Sequence, residues 1–187
     1  MSYLKPNVSP AQAGFDAVRL RRLDSYFEQY VNDGRLPGFQ LVVSRRGDVV
    51  HHHCYGKRDV EAGLAVEHDT IWRIYSMTKP ITSVALMMLV EEGKLLLTDP
   101  VSIYIPSFGA ARVWRSSSIV KPITEPVTEP MLVWHLLTHT AGLTYGFLYQ
   151  SAVDDLYRRA GYEWGVPKDT TLAQACDAWA ALPLLFQ

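Results

Sequence analysis

The chain has 187 residues, 48% of them hydrophobic, enough to bury a real core as one domain or as the larger part of a two-lobed one. Its 18 basic side chains nearly cancel 19 acidic ones, so no field draws in nucleic acid or anionic lipid, and neither is expected as a partner. The opening residues lack the apolar core of a signal peptide, and the longest strongly apolar run, Val84 to Val90, is too short to cross a bilayer; a soluble, cytoplasmic protein is expected, with Cys54 and Cys176 reduced and mostly buried.

Taken in chain order, Asp16 can cap a helix whose stripe Leu20, Leu23, Phe27, Tyr30 and Val31 advances by three- and four-residue steps and stops at Gly34. Two β-rich runs, 39–44 and 49–55, follow. The Gly in Arg45-Arg46-Gly47-Asp48 suits a tight reversal between them, so the sheet begins as an antiparallel hairpin. After Ile71-Trp72-Arg73-Ile74 the pattern turns helical. Ile81, Val84, Ala85, Met88 and Leu89 form one helix face ending at Gly93, and a second helix is expected from about Pro130 to His139. The stretch 102–129, with Pro106, Pro122, Pro126 and a Ser116-Ser117-Ser118 cluster, reads as a long surface excursion. A last helix is expected over 170–182, with Leu172, Cys176 and Trp179 on one face.

A serine hydroxyl is a weak nucleophile at neutral pH and needs a base within hydrogen-bond reach. A lysine three residues later on a helix lies one turn away on the same face and serves when burial or a neighbouring cation lowers its pKa. The Ser-x-x-Lys pattern occurs at Ser2/Lys5, Ser76/Lys79 and Ser118/Lys121. Only Ser76 sits at the start of a predicted helix, where free N–H groups and the positive dipole end can stabilise an oxyanion. Ser76 as the N-cap would put Pro80 where its ring crowds the carbonyl four residues back, so a tightened or shifted first turn is expected. On spacing and position alone, Ser76 is equally a nucleophile or a simple helix cap.

The words around it are more specific. Ile71-Trp72-Arg73-Ile74-Tyr75-Ser76-Met77-Thr78-Lys79-Pro80-Ile81-Thr82 resembles the active-site segment of serine β-lactamase-like hydrolases, the group of class C β-lactamases, D-alanyl-D-alanine carboxypeptidases and family VIII carboxylesterases. Leu95-Leu96-Leu97-Thr98-Asp99-Pro100-Val101 and His135-Leu136-Leu137-Thr138-His139-Thr140-Ala141-Gly142-Leu143 resemble two further segments of that group, in the same order, and Gly14-Phe15-Asp16, Arg19-Leu20 and Pro37-Gly38 also fit.

The resemblance implies a β-lactamase/transpeptidase-like α/β fold: an antiparallel sheet flanked by helices, begun by residues 1–75, and a mostly helical lobe in 76–187. It makes Ser76 the acylated nucleophile, Lys79 its base and the Ser76 N–H half of an oxyanion hole. Tyr145, Phe147 and Tyr149 line an acyl pocket on that reading, or else pack in a core. The group's proton-transfer tyrosine element and its late Lys-Thr-Gly or His-x-Gly strand have no counterpart here. Tyr30-Val31-Asn32 has the tyrosine spacing but precedes the nucleophile, inside the first helix. The chain is therefore expected to lack the C-terminal sheet strands and to need a complementary C-terminal segment or chain. The expected activity is hydrolysis of a small-molecule substrate, most simply a short-chain ester, with β-lactam or D-alanyl peptide hydrolysis as the alternative and a non-catalytic interaction module as the second.

No cofactor or metal is expected. In His51-His52-His53-Cys54 alternate residues face opposite sides of a strand, so at most His51 with His53, or His52 with Cys54, converge. His135 and His139 lie four apart, but no glutamate follows His135 as the zinc hydrolase pattern requires; a histidine bonding nearby backbone is the simpler reading.

Overall fold

The computed structural model describes residues 4–115 and 119–187; Ser2 and the Ser116-Ser117-Ser118 cluster lie outside them. The chain divides into two compact units between Ile74 and Tyr75.

In the first unit, α1 (Ala17–Asn32) starts where the Asp16 carboxylate accepts from the N–H groups of Val18, at 2.7 Å, and Arg19, at 3.1 Å, satisfying two donors that have no partner within the helix. The hairpin of β1 (Gly38–Arg45) and β2 (Asp48–Asp59) reverses through Arg46 and Gly47, both at positive φ, the pair of conformations that matches strand twist in a two-residue turn. A short β3 (Leu64–Ala65) pairs antiparallel with β2. Alternation gives the hairpin two different faces. On one, His51 and His53 bond Asp24 and Glu28, one turn apart on α1, at 2.6 and 2.8 Å, and Phe27 packs on Phe39. The other carries Gln40, His52 and Cys54 and receives the segment leading away from β3.

The stretch read from sequence as a surface excursion, 102–129, is mostly exposed, but it sends Phe108 and Ala111 into the core of the second unit. Val101, Phe108, Ala111, Met131, Ala180 and Leu184 form one buried cluster. Val101 and Phe108 come from 3₁₀ turns at Val101–Ile103 and Pro106–Ala110, Ala111 follows the second turn, Ala180 ends the last helix and Leu184 lies beyond it, beside the ribbon of β4 (Arg112–Trp114) and β5 (Thr124–Pro126). Leu184 bridges parallel to Val113. Of the prolines that suggest a loop, Pro106 opens a 3₁₀ turn and Pro126 ends β5, and Phe108, Ala111 and Val113 point inward between them.

Three helices complete this unit after α2 (Thr78–Glu91): α3 (Val133–Leu137), shorter than expected; α4 (Ala152–Arg159), unanticipated; and α5 (Leu172–Ala180). The face of α5 is corrected. Ala175 and Ala180 are buried while Leu172 is exposed, because small side chains let the helix approach the 106–110 turn closely. Cys54 and Cys176 are free and half-buried. Among the described residues no helix is long and apolar enough to cross a membrane.

Candidate active site

Ser76 lies in a 3₁₀ turn, Tyr75–Met77, that runs straight into α2. The sequence raises a difficulty at Pro80, and the turn resolves it. With Thr78 as the first α-helical residue, Pro80 is the third, where a backbone N–H has no intrahelical acceptor, so the missing donor is not felt. Ser76 is thus in the turn before the helix rather than its N-cap, which is Met77. Tyr75 enters the turn at φ 44°, a left-handed conformation costly for a bulky side chain and one that clusters at functional sites. One turn on, Lys79 Nζ donates to Ser76 Oγ at 3.1 Å. Both side chains are exposed.

The Leu95–Val101 motif segment is joined to the residues just before the His135–Leu143 one. Val101 N–H donates to Met131 O at 2.8 Å, Val133 N–H to Asp99 O at 3.0 Å and Trp134 N–H to Leu97 O at 3.0 Å. The Asp99 carboxylate accepts from Tyr104 Oη at 2.6 Å and Leu96 N at 2.7 Å, and those bonds hold its pKa below the ordinary carboxylate value. His135 Nδ1 accepts from the Leu132 N–H at 3.0 Å, so this histidine serves its own helix start. At Gly142, φ is 75° and a Cβ would run into the Phe186 carbonyl; only glycine lets the chain end pass there.

Tyr145, Phe147 and Tyr149 are not core residues: they are 47%, 40% and 62% exposed. Tyr145 stacks on Phe147, and Phe147 on Trp164 with planes 7° apart. Tyr149 is drawn away, its hydroxyl donating to Glu163 and its ring lying 4.0 Å under the Arg158 guanidinium.

What holds this aromatic loop is a residue that sequence reading passed over. Asp154, 1% exposed, accepts from Thr144 Oγ1 at 2.7 Å on one side of the loop and from Gln150 N and Ser151 N at 2.8 and 2.9 Å on the other. Burial pushes its pKa up, but these bonds outweigh burial and hold it below the ordinary value. The signal was present as Ser151-x-x-Asp154, a capping pattern at the start of α4. A cavity of about 310 Å³ lies elsewhere in the unit, lined among others by Met131, His135, Leu184 and Gln187. It shares no residue with the Ser76–Lys79 pair or the aromatic loop.

The family model described as beta-lactamase matches residues 23–187. Esterase EstB of Burkholderia gladioli is 33% identical over 182 residues, covering 96% of this chain and 43% of its own. The solved structure of EstCE1, a hydrolase with promiscuous acyltransferase activity, superposes with a TM-score of 0.74 at 29% identity, over 89% of this chain and 40% of its own. An octameric penicillin-binding protein homologue from Pyrococcus abyssi gives 0.59 at 28% identity, over 90% and 35%. The chain thus spans less than half the length of these relatives. It has their β-lactamase/transpeptidase-like fold as far as it extends, and it belongs to the beta-lactamase family of serine hydrolases, with esterases among its relatives.

Proposed function

We propose that the chain carries the nucleophilic half of a serine hydrolase that cleaves small-molecule esters, with Ser76 as nucleophile and Lys79 as its base. The observation that carries this is the 3.1 Å approach of Lys79 Nζ to Ser76 Oγ across one helical turn. It is supported by the left-handed Tyr75 that sets the turn and by the likeness to an esterase at 33% identity.

In the reacting form an uncharged Lys79 amine accepts the Ser76 proton as Oγ attacks the ester carbonyl. The tetrahedral oxyanion is met by the Ser76 N–H. Collapse expels the alcohol, which takes a proton from the Lys79 ammonium, and water then releases the acid. Both side chains are exposed, and lysine acts as a base when burial or a neighbouring cation disfavours its charge. In this reading, residues corresponding to the remaining length of the relatives supply the cover, the proton-transfer tyrosine and the second oxyanion donor. Tyr145, Phe147 and Trp164 offer an apolar wall for the acyl group.

The test is fluorophosphonate labelling with the adduct mapped by mass spectrometry: the adduct is expected on Ser76, and labelling that survives Ser76→Ala refutes the assignment. A β-lactam or D-alanyl peptide substrate is a second reading, favoured by the match to the penicillin-binding protein homologue. Turnover of a chromogenic cephalosporin in preference to a short-chain nitrophenyl ester would select it.

A further inference from the structure

On the hairpin face turned away from α1, His52 and Cys54 of β2 converge with His68 from the segment after β3. Cys54 Sγ lies 3.7 Å from His52 Nε2 and 3.8 Å from His68 Nδ1, and the two nitrogens are 3.2 Å apart. A tetrahedral zinc ion bound at about 2.3 Å by sulfur and about 2.0–2.1 Å by nitrogen holds S and N roughly 3.6 Å apart and two nitrogens roughly 3.4 Å apart. All three observed separations fall within about 0.3 Å of those values, set by the fold rather than by an ion.

The surroundings fit as well. His52 Nδ1 faces the Leu4 carbonyl, an acceptor only, so Nδ1 carries the proton and the lone pair is on Nε2. Ligating histidines are oriented in this way, through a carbonyl on the other ring nitrogen. His68 Nδ1 lies 3.1 Å from His52 Nδ1 and 3.2 Å from His52 Nε2 with the two rings at 78°, so a shared ion requires the exposed His68 ring to swing toward the Nε2 lone pair. Gln40 spans the base of the site. Its Oε1 accepts from Trp72 Nε1 at 2.7 Å, while its Nε2 donates to His68 O at 3.1 Å and reaches His52 Nε2 at 2.8 Å. The bond to His52 makes Nε2 an acceptor and is a contact that a metal must displace. His52 and Cys54 are half-buried and His68 is exposed, leaving a path for the ion and a fourth position for water.

We propose that His52, Cys54 and His68 form a binding site for zinc or a similar borderline-soft divalent cation, with one thiolate and two imidazole ligands. Binding exchanges the Cys54 S–H proton, released to solvent, for an S–metal bond, and lone pairs on His52 Nε2 and His68 Nδ1 complete the protein ligands. The ion would staple β2 to the stretch that leads, seven residues after His68, to Tyr75. Read alone, β2 excluded a metal because only two of its residues share a face; His68 supplies the third ligand from outside the strand.

The test is titration of the full 187-residue chain with Co²⁺ under a non-thiol reductant. One equivalent per chain is expected to produce a thiolate-to-cobalt charge-transfer band that Zn²⁺ abolishes. Cys54→Ser should lose the band, Cys176→Ser and Ser76→Ala should keep it, and His68→Ala, at an exposed position, should weaken binding at least tenfold with unchanged circular dichroism. If Cys54→Ser does not fold, His68→Ala decides. No band at one equivalent, a band lost with Cys176, or binding indifferent to His68 would overturn the proposal. Retention in Ser76→Ala makes the result independent of the hydrolase reading.

Discussion

Replacing Asp154 tests whether one buried carboxylate holds the aromatic loop. Its Oδ2 accepts two backbone N–H groups, of Gln150 and Ser151, and its Oδ1 accepts the Thr144 hydroxyl. Asp154→Asn keeps an oxygen for both N–H groups, and its amide can donate to a rotated Thr144 hydroxyl. What it loses is charge assistance, worth about 1–2 kcal/mol in total when charged bonds of ~1.5–3 kcal/mol become neutral ones and the cost of burying a charge is relieved. Asp154→Ala leaves the two N–H groups without this partner at about 1–3 kcal/mol each, tempered by the exposure of Gln150, so a loss of about 2–4 kcal/mol is expected. The pH dependence separates charge from shape. Because the native pKa is depressed, the carboxylate's contribution is complete above its unfolded value of about 3.9 and is lost as pH falls through the lower native one. Urea unfolding should therefore show the parent ahead of Asp154→Asn at pH 7, with the gap closing in acid. Hydrogen exchange at residues 145–149 should quicken in the variant. Equal stability at pH 7, or a gap that persists below the native pKa, would refute the reasoning.

Three further outcomes follow from particular positions. Gly142→Ala combines a strained φ of 75° with a clash against the Phe186 carbonyl, and thermal or urea unfolding should report a loss of about 2–4 kcal/mol. The Tyr157 hydroxyl is buried with no well-formed hydrogen bond among the described residues, the Thr144 backbone offering only a weak one, and burial pushes its pKa up to about 12; Tyr157→Phe should change stability by no more than ~1 kcal/mol, and a larger loss would show that the Thr144 contact is a full hydrogen bond. Val84 is 62% exposed on α2, so Val84→Glu should shift the stability of this chain by no more than about 0.5 kcal/mol, and a larger loss in urea unfolding would mean that the face is buried after all.

Features fixed by nearby residues were legible in the sequence. Asp16 two and three residues before its bonded donors, the Arg46-Gly47 reversal, and Ser76 one turn from Lys79 each depend on a few adjacent positions, and the structure places them as the pattern implies. Features assembled from distant segments were not. His68 reaches the β2 cluster across sixteen residues, Leu184 joins β4 from the chain end, and Phe108 and Ala111 of the 102–129 stretch are buried only when Val101, Met131, Ala180 and Leu184 arrive. The prolines of that stretch gave a correct local reading, irregular backbone over a mostly exposed stretch, and no sign that Phe108, Ala111 and Val113 turn inward. α5 failed for a related reason: periodicity names an apolar stripe, but whether Leu172 or Ala175 faces inward depends on how closely the 106–110 turn packs. α4 is the case that nearby residues could have revealed, through Ser151 and Asp154.

The same division separates the geometry of the Ser76–Lys79 pair from its reactivity. The 3.1 Å contact needs only the Tyr75–Met77 turn and the first turn of α2. Disfavouring the lysine's charge and excluding water are non-local tasks. α2 also leaves Ile81, Val84 and Met88 at 63%, 62% and 54% exposure, and no residue of the helix is buried. On the proposed reading this exposed apolar face is what further protein covers, and it belongs to the helix that begins beside Ser76. One cover would meet both needs, burying the apolar face for stability and drying the approach to Lys79 for chemistry. On the proposed reading, stability of α2 and nucleophilicity of Ser76 should therefore rise together as chain is added toward the length of EstB, rather than being separately adjustable.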